Sequence, residues 1–196
     1  MSEEQIRAAA WDLTSDDIEK QKAACKTIKE YGGSAARIVL EVAHEWDAQE
    51  QKKWLRDWGY YSLARAISSV EAVEALSEAI SDPNPVFRAF AVHVLADIED
   101  PRVQDLLFKA YHDEDTDVCS EVVSGLENFG DQRSYELVVK ALKDPNDTVR
   151  KCAASSLHKI CGNDSEDTLI QALEDPFDRV ASIASRILGR LESKSA

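Results

Sequence analysis

The residue types that most often carry out catalysis are sparse in this sequence and are not arranged for it. The four histidines are His44, His93, His112 and His158, and of these His44 alone has a glutamate beside it. No HExxH pair, Gly-rich phosphate loop or GxSxG turn is present. His112 adjoins Asp113, but one histidine–carboxylate neighbour does not make a catalytic set. We therefore predict no catalytic residue, no enzyme activity, no metal site and no cofactor.

The four cysteines also lack a chemical pattern. Cys25, Cys119, Cys152 and Cys161 contain no CxxC pair, and three of them fall within helical patterns. We expect reduced structural thiols, as in a cytoplasmic protein. The N-terminal segment is acidic and polar, unlike a secretory signal, and no apolar run approaches the ~20 residues of a membrane span. These features predict a cytoplasmic protein with no membrane partner.

The charge balance narrows the class of partner. The 37 acidic residues outnumber the 23 basic residues and give a net charge of −14. This charge opposes nucleic acid binding, in which Lys and Arg neutralise phosphates. It can steer a basic protein toward the surface, although acidic surfaces also serve solubility alone. The densest acidic run, from Asp113 to Asp117, is either a solvated helix start or a contact for such a partner.

A repeat positions these residues along the chain. Four aspartates are each 31 residues apart: Asp82, Asp113, Asp144 and Asp175. An apolar column keeps the same step: Leu76, Leu107, Val138 and Leu169. A fixed period of this size marks a solenoid, in which each unit buries its apolar face against its neighbours.

Apolar spacing and stop signals predict about twelve helices in six pairs. The expected ranges are 3–13 with 17–32, 34–46 with 48–67, 70–81 with 84–98, 102–112 with 115–129, 132–143 with 146–160, and 165–174 with 177–191. We expect a single domain over 1–196, with irregular repeats over 3–69, regular repeats over 70–191 and a short tail over 192–196. An Asp, often followed by Pro, precedes each later second helix and is expected to cap it.

The segment DPNDTVRKCAASSLHKI at 144–160 resembles the second half of a HEAT repeat of the phycobilisome-lyase-like subtype. The segments at 82–98 and 175–191 resemble it as well. The resemblance implies an all-α fold, a right-handed α-solenoid (α-α superhelix) of about six HEAT-like helical hairpins. Fold alone does not imply an activity.

The same resemblance implies a ladder of bonds between neighbouring repeats, made by an Asp and an Arg six residues later. The pairs present here are Asp82 with Arg88, Asp144 with Arg150, and, more loosely, Glu50 with Arg56. Cys119 and Ala181 stand where the Arg would be, so no ladder bond is expected in those two repeats.

The resemblance also places the second helix of each pair on a concave groove. Positions outside the core on these helices are the predicted partner-binding residues: Trp54, Trp58, Tyr61, Phe90, His93, Asp117, Glu121 and Glu127. The last repeat adds three cations to the same face: Arg179, Arg186 and Arg190. Trp and Tyr anchor many binding hot spots, although bulky residues that only close an irregular end of the array are the alternative.

Three functions fit this pattern. The leading prediction is a non-enzymatic protein-binding scaffold, in one version an acidic inhibitor or immunity-type protein for a basic partner. The alternative is a bilin lyase-type enzyme subunit, which the resemblance suggests. A HEAT-like DNA-repair protein is the third, and the acidic side chains of the middle repeat argue against it. The sequence does not predict an oligomeric state.

Overall fold

The computed structural model describes residues 2–13, 15, 17–49, 62–161 and 166–195. Within these ranges every regular element is helical, which confirms the all-α prediction. The helices are α1 (Glu3–Asp12), α2 (Ile18–Tyr31), α3 (Gly33–Gln49), α4 (described over 62–67), α5 (Val73–Ala79), α6 (Pro85–Ala96), α7 (Pro101–Ala110), α8 (Thr116–Gly125), α9 (Gln132–Ala141), α10 (Asp147–Cys161), α11 (Glu166–Ala172) and α12 (Asp178–Ser195). Short 3-10 turns precede α5 at Val70–Ala72 and follow α8 at Leu126–Asn128.

Odd-numbered helices are the first helices of the predicted pairs, and even-numbered helices are the second. The chain divides into two compact units, Met1–Val103 (unit 1) and Gln104–Ala196 (unit 2). The single domain expected over 1–196 stays a prediction. Of the helices that the structure describes, none combines the length and the apolar character needed to cross a membrane.

Unit 1 is built around α3. Helix α1 packs on α2 and α3. Helix α3 also contacts the 3-10 turn before α5 and α5 itself, and α5 packs on α6. Gly32 ends α2 with φ of +57°, a conformation that favours glycine, and so confirms the predicted stop. The end of α1 and each helix from α2 to α6 contribute a large buried side chain to the core of this unit. These side chains are Leu13, Ile28, Val39, Leu63, Leu76 and Leu95.

Unit 2 shows the repeat most clearly, with α10 packed on α8, α9 and α12. The apolar columns of the sequence are its core. Val118, Val149 and Val180 are buried, as are Leu107, Val138 and Leu169. Helix α10 contacts both α8 and α12, so second helices one period apart pack on one another.

Two predicted boundaries are wrong. Helix α3 continues to Gln49, so a new helix does not begin at Asp47 or Ala48. Helix α12 continues to Ser195, so most of the expected tail over 192–196 is helical. Neither stretch contains a Gly or Pro, and without these residues the backbone has no strong local reason to leave the helix.

The turns inside the later hairpins correct the predicted cap. The Asp144 carboxylate accepts a hydrogen bond from the Asn146 N–H at 2.8 Å, and Asn146 then accepts one from the Thr148 N–H at 2.8 Å. Asp82 and Asn84 repeat this arrangement before α6. The repeated Asp therefore closes the turn, and in the hairpins with Asn84, Asp115 and Asn146 the residue two positions later caps the helix. In the last hairpin Phe177 stands at that position and has no side-chain acceptor.

Candidate functional site

Arg150 forms a bond between neighbouring repeats, and its carboxylate partner is the Asp of the following repeat. The Arg150 Nε and Nη2 atoms donate to the two Asp175 carboxylate oxygens at 2.6 and 3.1 Å. The Arg150 Nη1 atom donates to the backbone carbonyl of Asp144 at 2.9 Å. Asp144, which lies six residues before Arg150, thus supplies a carbonyl rather than its side chain. Arg88 makes the same kind of bond to the Asp82 carbonyl at 2.9 Å. Glu50 and Arg56 lie outside the described residues.

The Arg150–Asp175 pair is nearly buried, with side chains 13% and 8% exposed. The hydrogen bond from Arg150 lowers the pKa of Asp175, and the hydrogen bond to Asp175 raises the pKa of Arg150. A two-pronged bond between a guanidinium and a carboxylate is among the stronger polar contacts in proteins. The pair therefore holds α12 against α10 in a fixed register.

The repeat that lacks the Arg compensates with a tyrosine. Cys119 stands at the Arg position, and its thiol donates to the backbone carbonyls of Asp113 and Tyr111 at 3.3 and 3.4 Å. The Tyr111 hydroxyl donates to the Asp144 carboxylate at 3.4 Å, the role that Arg150 fills toward Asp175. Burial, together with Asp144, raises the pKa of Tyr111 to about 12. Burial and the nearby carboxylates of Asp113 and Asp144 also raise the pKa of the Cys119 thiol.

The predicted partner-binding residues differ in how far they are exposed, and some lie outside the described residues. Phe90 is wrong as a groove residue, because its side chain is 4% exposed and its ring packs 6.0 Å from that of Phe87. It lies one turn after Phe87 on an almost wholly apolar helix, where a large ring reaches the core. His93 is half-buried. Trp54, Trp58 and Tyr61 lie outside the described residues.

The three predicted acids lie on α8 and the 3-10 turn that follows it. Asp117 is exposed, and Glu121 is half-buried one helical turn later. Glu127 accepts a hydrogen bond from Lys159 of α10 at 2.7 Å, so an internal cation already occupies its carboxylate. This bond joins the 3-10 turn after α8 to α10. We call the exposed side chains of α8, α10 and α12 the second-helix face of unit 2.

Charge changes sign along the second-helix face of unit 2. Helix α8 supplies acids, whereas α12 supplies the exposed side chains of Arg179, Arg186 and Arg190. Positions one period apart run from Asp117 through Thr148 to Arg179, so a single column carries both signs. A binding surface of this kind can orient a partner as well as attract it.

The first helices of unit 2 use their polar groups among themselves. Gln104 of α7 donates to Asp131 at 2.7 Å, and Arg133 of α9 pairs with Asp105 of α7 at 2.9 Å. The Arg133 guanidinium also lies 4.6 Å from the centre of the Phe108 ring. These contacts join neighbouring first helices and leave the second-helix face as the better candidate for binding.

The described residues of unit 1 line open pockets between α3 and α5 and between α2 and α4, which the sequence did not predict. The first, of about 700 Å³, lies between α3 and α5. Its charges are paired internally, since Arg37 bonds Glu78 at 3.2 Å and His44 approaches Asp82 at 3.6 Å. Glu41 and Glu45 also line this pocket, and both bond Arg7 of α1. The pocket depends on the packing of α3 against α5, and no local sequence pattern predicts this packing.

The second pocket, of about 530 Å³, lies between α2 and α4. Its lining includes Lys22, Lys26, Lys29 and Arg65 beside apolar residues. A local signal did exist for it, because the three lysines recur at i, i+4 and i+7 on α2 and therefore share one helix face.

The described helices define a class of protein: an all-α chain of helical hairpins that repeat every 31 residues. The chain belongs to the HEAT-repeat family, since the family model for HEAT repeats matches residues 48–126 and 105–189. This result confirms the solenoid fold class and the family resemblance.

Solved structures support the fold. The chain is similar to the crystal structure of an engineered protein from the Northeast Structural Genomics Consortium, with a TM-score of 0.52, 21% identity and 98% of each chain covered. It is also similar to the complex of CpcE and CpcF of phycocyanin lyase from Nostoc sp. PCC7120, with a TM-score of 0.52 and 17% identity. That match covers 97% of this chain and 77% of the other. Comparison with curated proteins gave no match. Identities this low indicate a shared fold and not a shared activity.

The ladder bond leads to a stability prediction. We expect Asp175→Asn to lower the free energy of unfolding by about 1.5–3 kcal/mol, the range for hydrogen bonds to charged groups. Asp105→Asn is the matched control, because it removes the same charge from an Arg-paired Asp that is 71% exposed. We expect the control to cost less than about 1 kcal/mol. Urea unfolding followed by circular dichroism measures both, and equal losses would contradict a special role for the ladder.

The pH dependence follows from the direction of the shift. The pKa of Asp175 is lowered in the folded state from its ordinary 3.8. Its stabilising contribution is therefore complete above the unfolded value and is lost as the pH falls through the folded value. The stability difference between the wild type and Asp175→Asn should stay constant near neutral pH and shrink below pH about 4.

The environment of Cys119 predicts an unreactive thiol. In a chain carrying Cys152→Ser and Cys161→Ser, two thiols remain, and half-buried Cys25 should react with iodoacetamide well before buried Cys119. The raised pKa of Cys119 leaves little thiolate at neutral pH, and thiolate is the reactive form. Peptide mapping by mass spectrometry distinguishes the two sites. Similar rates at Cys25 and Cys119 would show that the thiol is accessible.

Proposed function

We propose that this chain is a non-enzymatic protein-binding scaffold that holds a basic segment of a partner on the second-helix face of unit 2. In its sharper form, it is an acidic inhibitor or immunity-type protein that neutralises a basic partner. Stacked repeats expose a long surface for their mass, and this surface is their usual means of binding. The proposal includes no catalytic residue and no cofactor.

One observation carries the proposal. The Asp117 carboxylate is exposed at the start of α8, and no cation that the structure describes pairs with it. On the opposite layer, Asp105 and Arg133 already bond each other. An exposed carboxylate with no internal partner can bind an external Lys or Arg without first breaking an existing bond.

The remaining acids define the extent of the contact. Glu121 follows Asp117 by one helical turn and adds a second negative charge on the same side of α8. Glu127 leaves the set, since Lys159 neutralises it. The net charge of −14 would speed the encounter with a basic partner, and salt would weaken this effect.

The aromatic residues predicted from the sequence belong to unit 1 and are a separate proposal. Within unit 1, Trp54, Trp58 and Tyr61 stay as candidate anchors for a partner, because Trp and Tyr dominate binding hot spots. Phe90 leaves the proposal, since its ring is buried in the core of unit 1. His93 is retained as a half-buried position on the same helix.

Partner capture tests the proposal. The immobilised chain is incubated with an extract of its native host at low salt, and the bound protein is identified by mass spectrometry and then purified. We expect a basic protein whose affinity for the chain falls as salt is raised. Asp117→Asn with Glu121→Gln should weaken binding by about tenfold, since each removes one charge pair.

The control for the Asp117→Asn, Glu121→Gln double variant removes the same number of negative charges from the first helices. Glu136→Gln with Asp167→Asn neutralises two exposed acids of the first helices α9 and α11, and its affinity should stay within about twofold of wild type. Equal losses from both double variants would show that net charge alone drives binding. A tight complex with no dependence on salt would exclude the basic partner.

A bilin lyase-type subunit is the second candidate, since one structural neighbour is a phycocyanin lyase complex. We expect the chain mixed with a bilin to leave the visible absorbance spectrum of the bilin unchanged. A shifted band that survives gel filtration together with the protein would favour this candidate over the scaffold. An acidic helical protein with no tetrapyrrole-binding site serves to calibrate non-specific binding.

A further inference from the structure

The pocket between α2 and α4 carries a local charge opposite to that of the chain. Its described lining contains four cations and the single acid Glu30. The cations are Lys22, Lys26, Lys29 and Arg65. Because the protein as a whole has a net charge of −14, this concentration of cations creates a positive patch on an otherwise acidic molecule.

Three of these cations are available to an external ligand. Lys26, Lys29 and Arg65 are exposed, and none of them forms an ion pair with an acid in the described part of the chain. Lys22 bonds Glu19 at 2.8 Å, a pair whose side chains are both largely exposed and therefore weak. Among the described residues, binding an anion here would break one surface ion pair, Lys22–Glu19.

The pocket also has apolar lining. Leu13, half-buried Cys25 and Ile18 supply it, beside the uncharged polar residues Gln21 and Ser62. Ile18 is 61% exposed, more than any other large hydrophobic side chain that the structure describes. A ligand that covered Ile18 would gain from removing its apolar surface from water. A small inorganic anion would use the cations but would leave this surface exposed.

The spacing of the cations selects the shape of the ligand. Lys22, Lys26 and Lys29 follow one face of α2, and the helical rise places them at about 6 and 10 Å along its axis. A second α-helix lying alongside α2 presents its own side chains at i, i+4 and i+7 with the same spacing. Docking of an amphipathic helix in a groove is a common mode of protein recognition.

We propose that this pocket docks an amphipathic acidic helix of a partner protein. The carboxylates of that helix bind Lys22, Lys26 and Lys29, with Arg65 on the opposite wall, and its apolar stripe covers Ile18. This site lies wholly within unit 1 and uses no residue of the acidic contact on α8. The test of this site is therefore independent of the test of the basic partner proposed above.

A synthetic peptide tests the proposal directly. The probe is a fluorescein-labelled helical peptide with Glu at i, i+4 and i+7 and Leu along the adjoining stripe, and fluorescence anisotropy measures its affinity for the full chain. A second peptide with Gln in place of each Glu is the ligand control. We expect the Glu peptide to bind at least tenfold more tightly than the Gln peptide, because only the former pairs with the lysines.

Two double variants with the same charge change locate the site. Lys26→Gln with Lys29→Gln should weaken binding of the Glu peptide by about tenfold, whereas Lys109→Gln with Lys143→Gln, on exposed lysines of unit 2, should change it by less than twofold. Ile18→Ser should also weaken binding several-fold, through the apolar contact. Circular dichroism melting checks that each variant folds as the wild type does.

Four results would overturn the proposal. Equal binding of the Glu and Gln peptides would exclude recognition of carboxylates, and equal losses from the two lysine double variants would show unspecific attraction. Displacement of the peptide by pyrophosphate, with no effect of Ile18→Ser, would identify a small-anion site instead. A dimer in sedimentation equilibrium that Lys26→Gln with Lys29→Gln dissociates would identify a second copy of this chain as the occupant.

Discussion

A helical hairpin of this chain can bury its apolar face only against the next hairpin, and this constraint governs each described unit. In unit 2, Val118, Val149 and Val180 lie one period apart and are all buried. The contacts of α10 with α8 and α12 show how a central second helix supplies the surface on which its two neighbours pack. Because apolar burial requires a fixed register between hairpins, the polar residues at their turns are positioned as well.

The polar contacts refine this packing and show how a repeat tolerates the loss of a residue. Arg150 ties its own turn to Asp175 of the following repeat with a two-pronged bond. One repeat earlier, Cys119 is too short to reach that far, and the Tyr111 hydroxyl approaches Asp144 from the first helix instead. The acceptor is the repeated Asp in both repeats, whereas the donor comes from the residue after the first helix in one repeat and from the second helix in the other.

Both helical layers carry exposed charges, and the first helices in addition bond one another across neighbouring hairpins. First helices bond one another, through Arg133 with Asp105 in unit 2 and Arg7 with Glu41 in unit 1. Second helices keep exposed charges of both signs, with acids on α8 and cations on α2 and α12. A HEAT-repeat protein arranged in this way can hold partners of opposite charge at different places along its chain.

The sequence by itself determined the period, the helices and the family, because a helical rise and a 31-residue step fix which side chains share a face. It did not determine that Phe90 is buried, that Lys159 neutralises Glu127, or that Asp175 is the carboxylate bound by Arg150. Nor did it indicate the pocket between α3 and α5, and for the pocket between α2 and α4 it offered only the spacing of three lysines on α2. These features depend on atoms brought together from different helices, and only the packing of one hairpin on the next decides those distances.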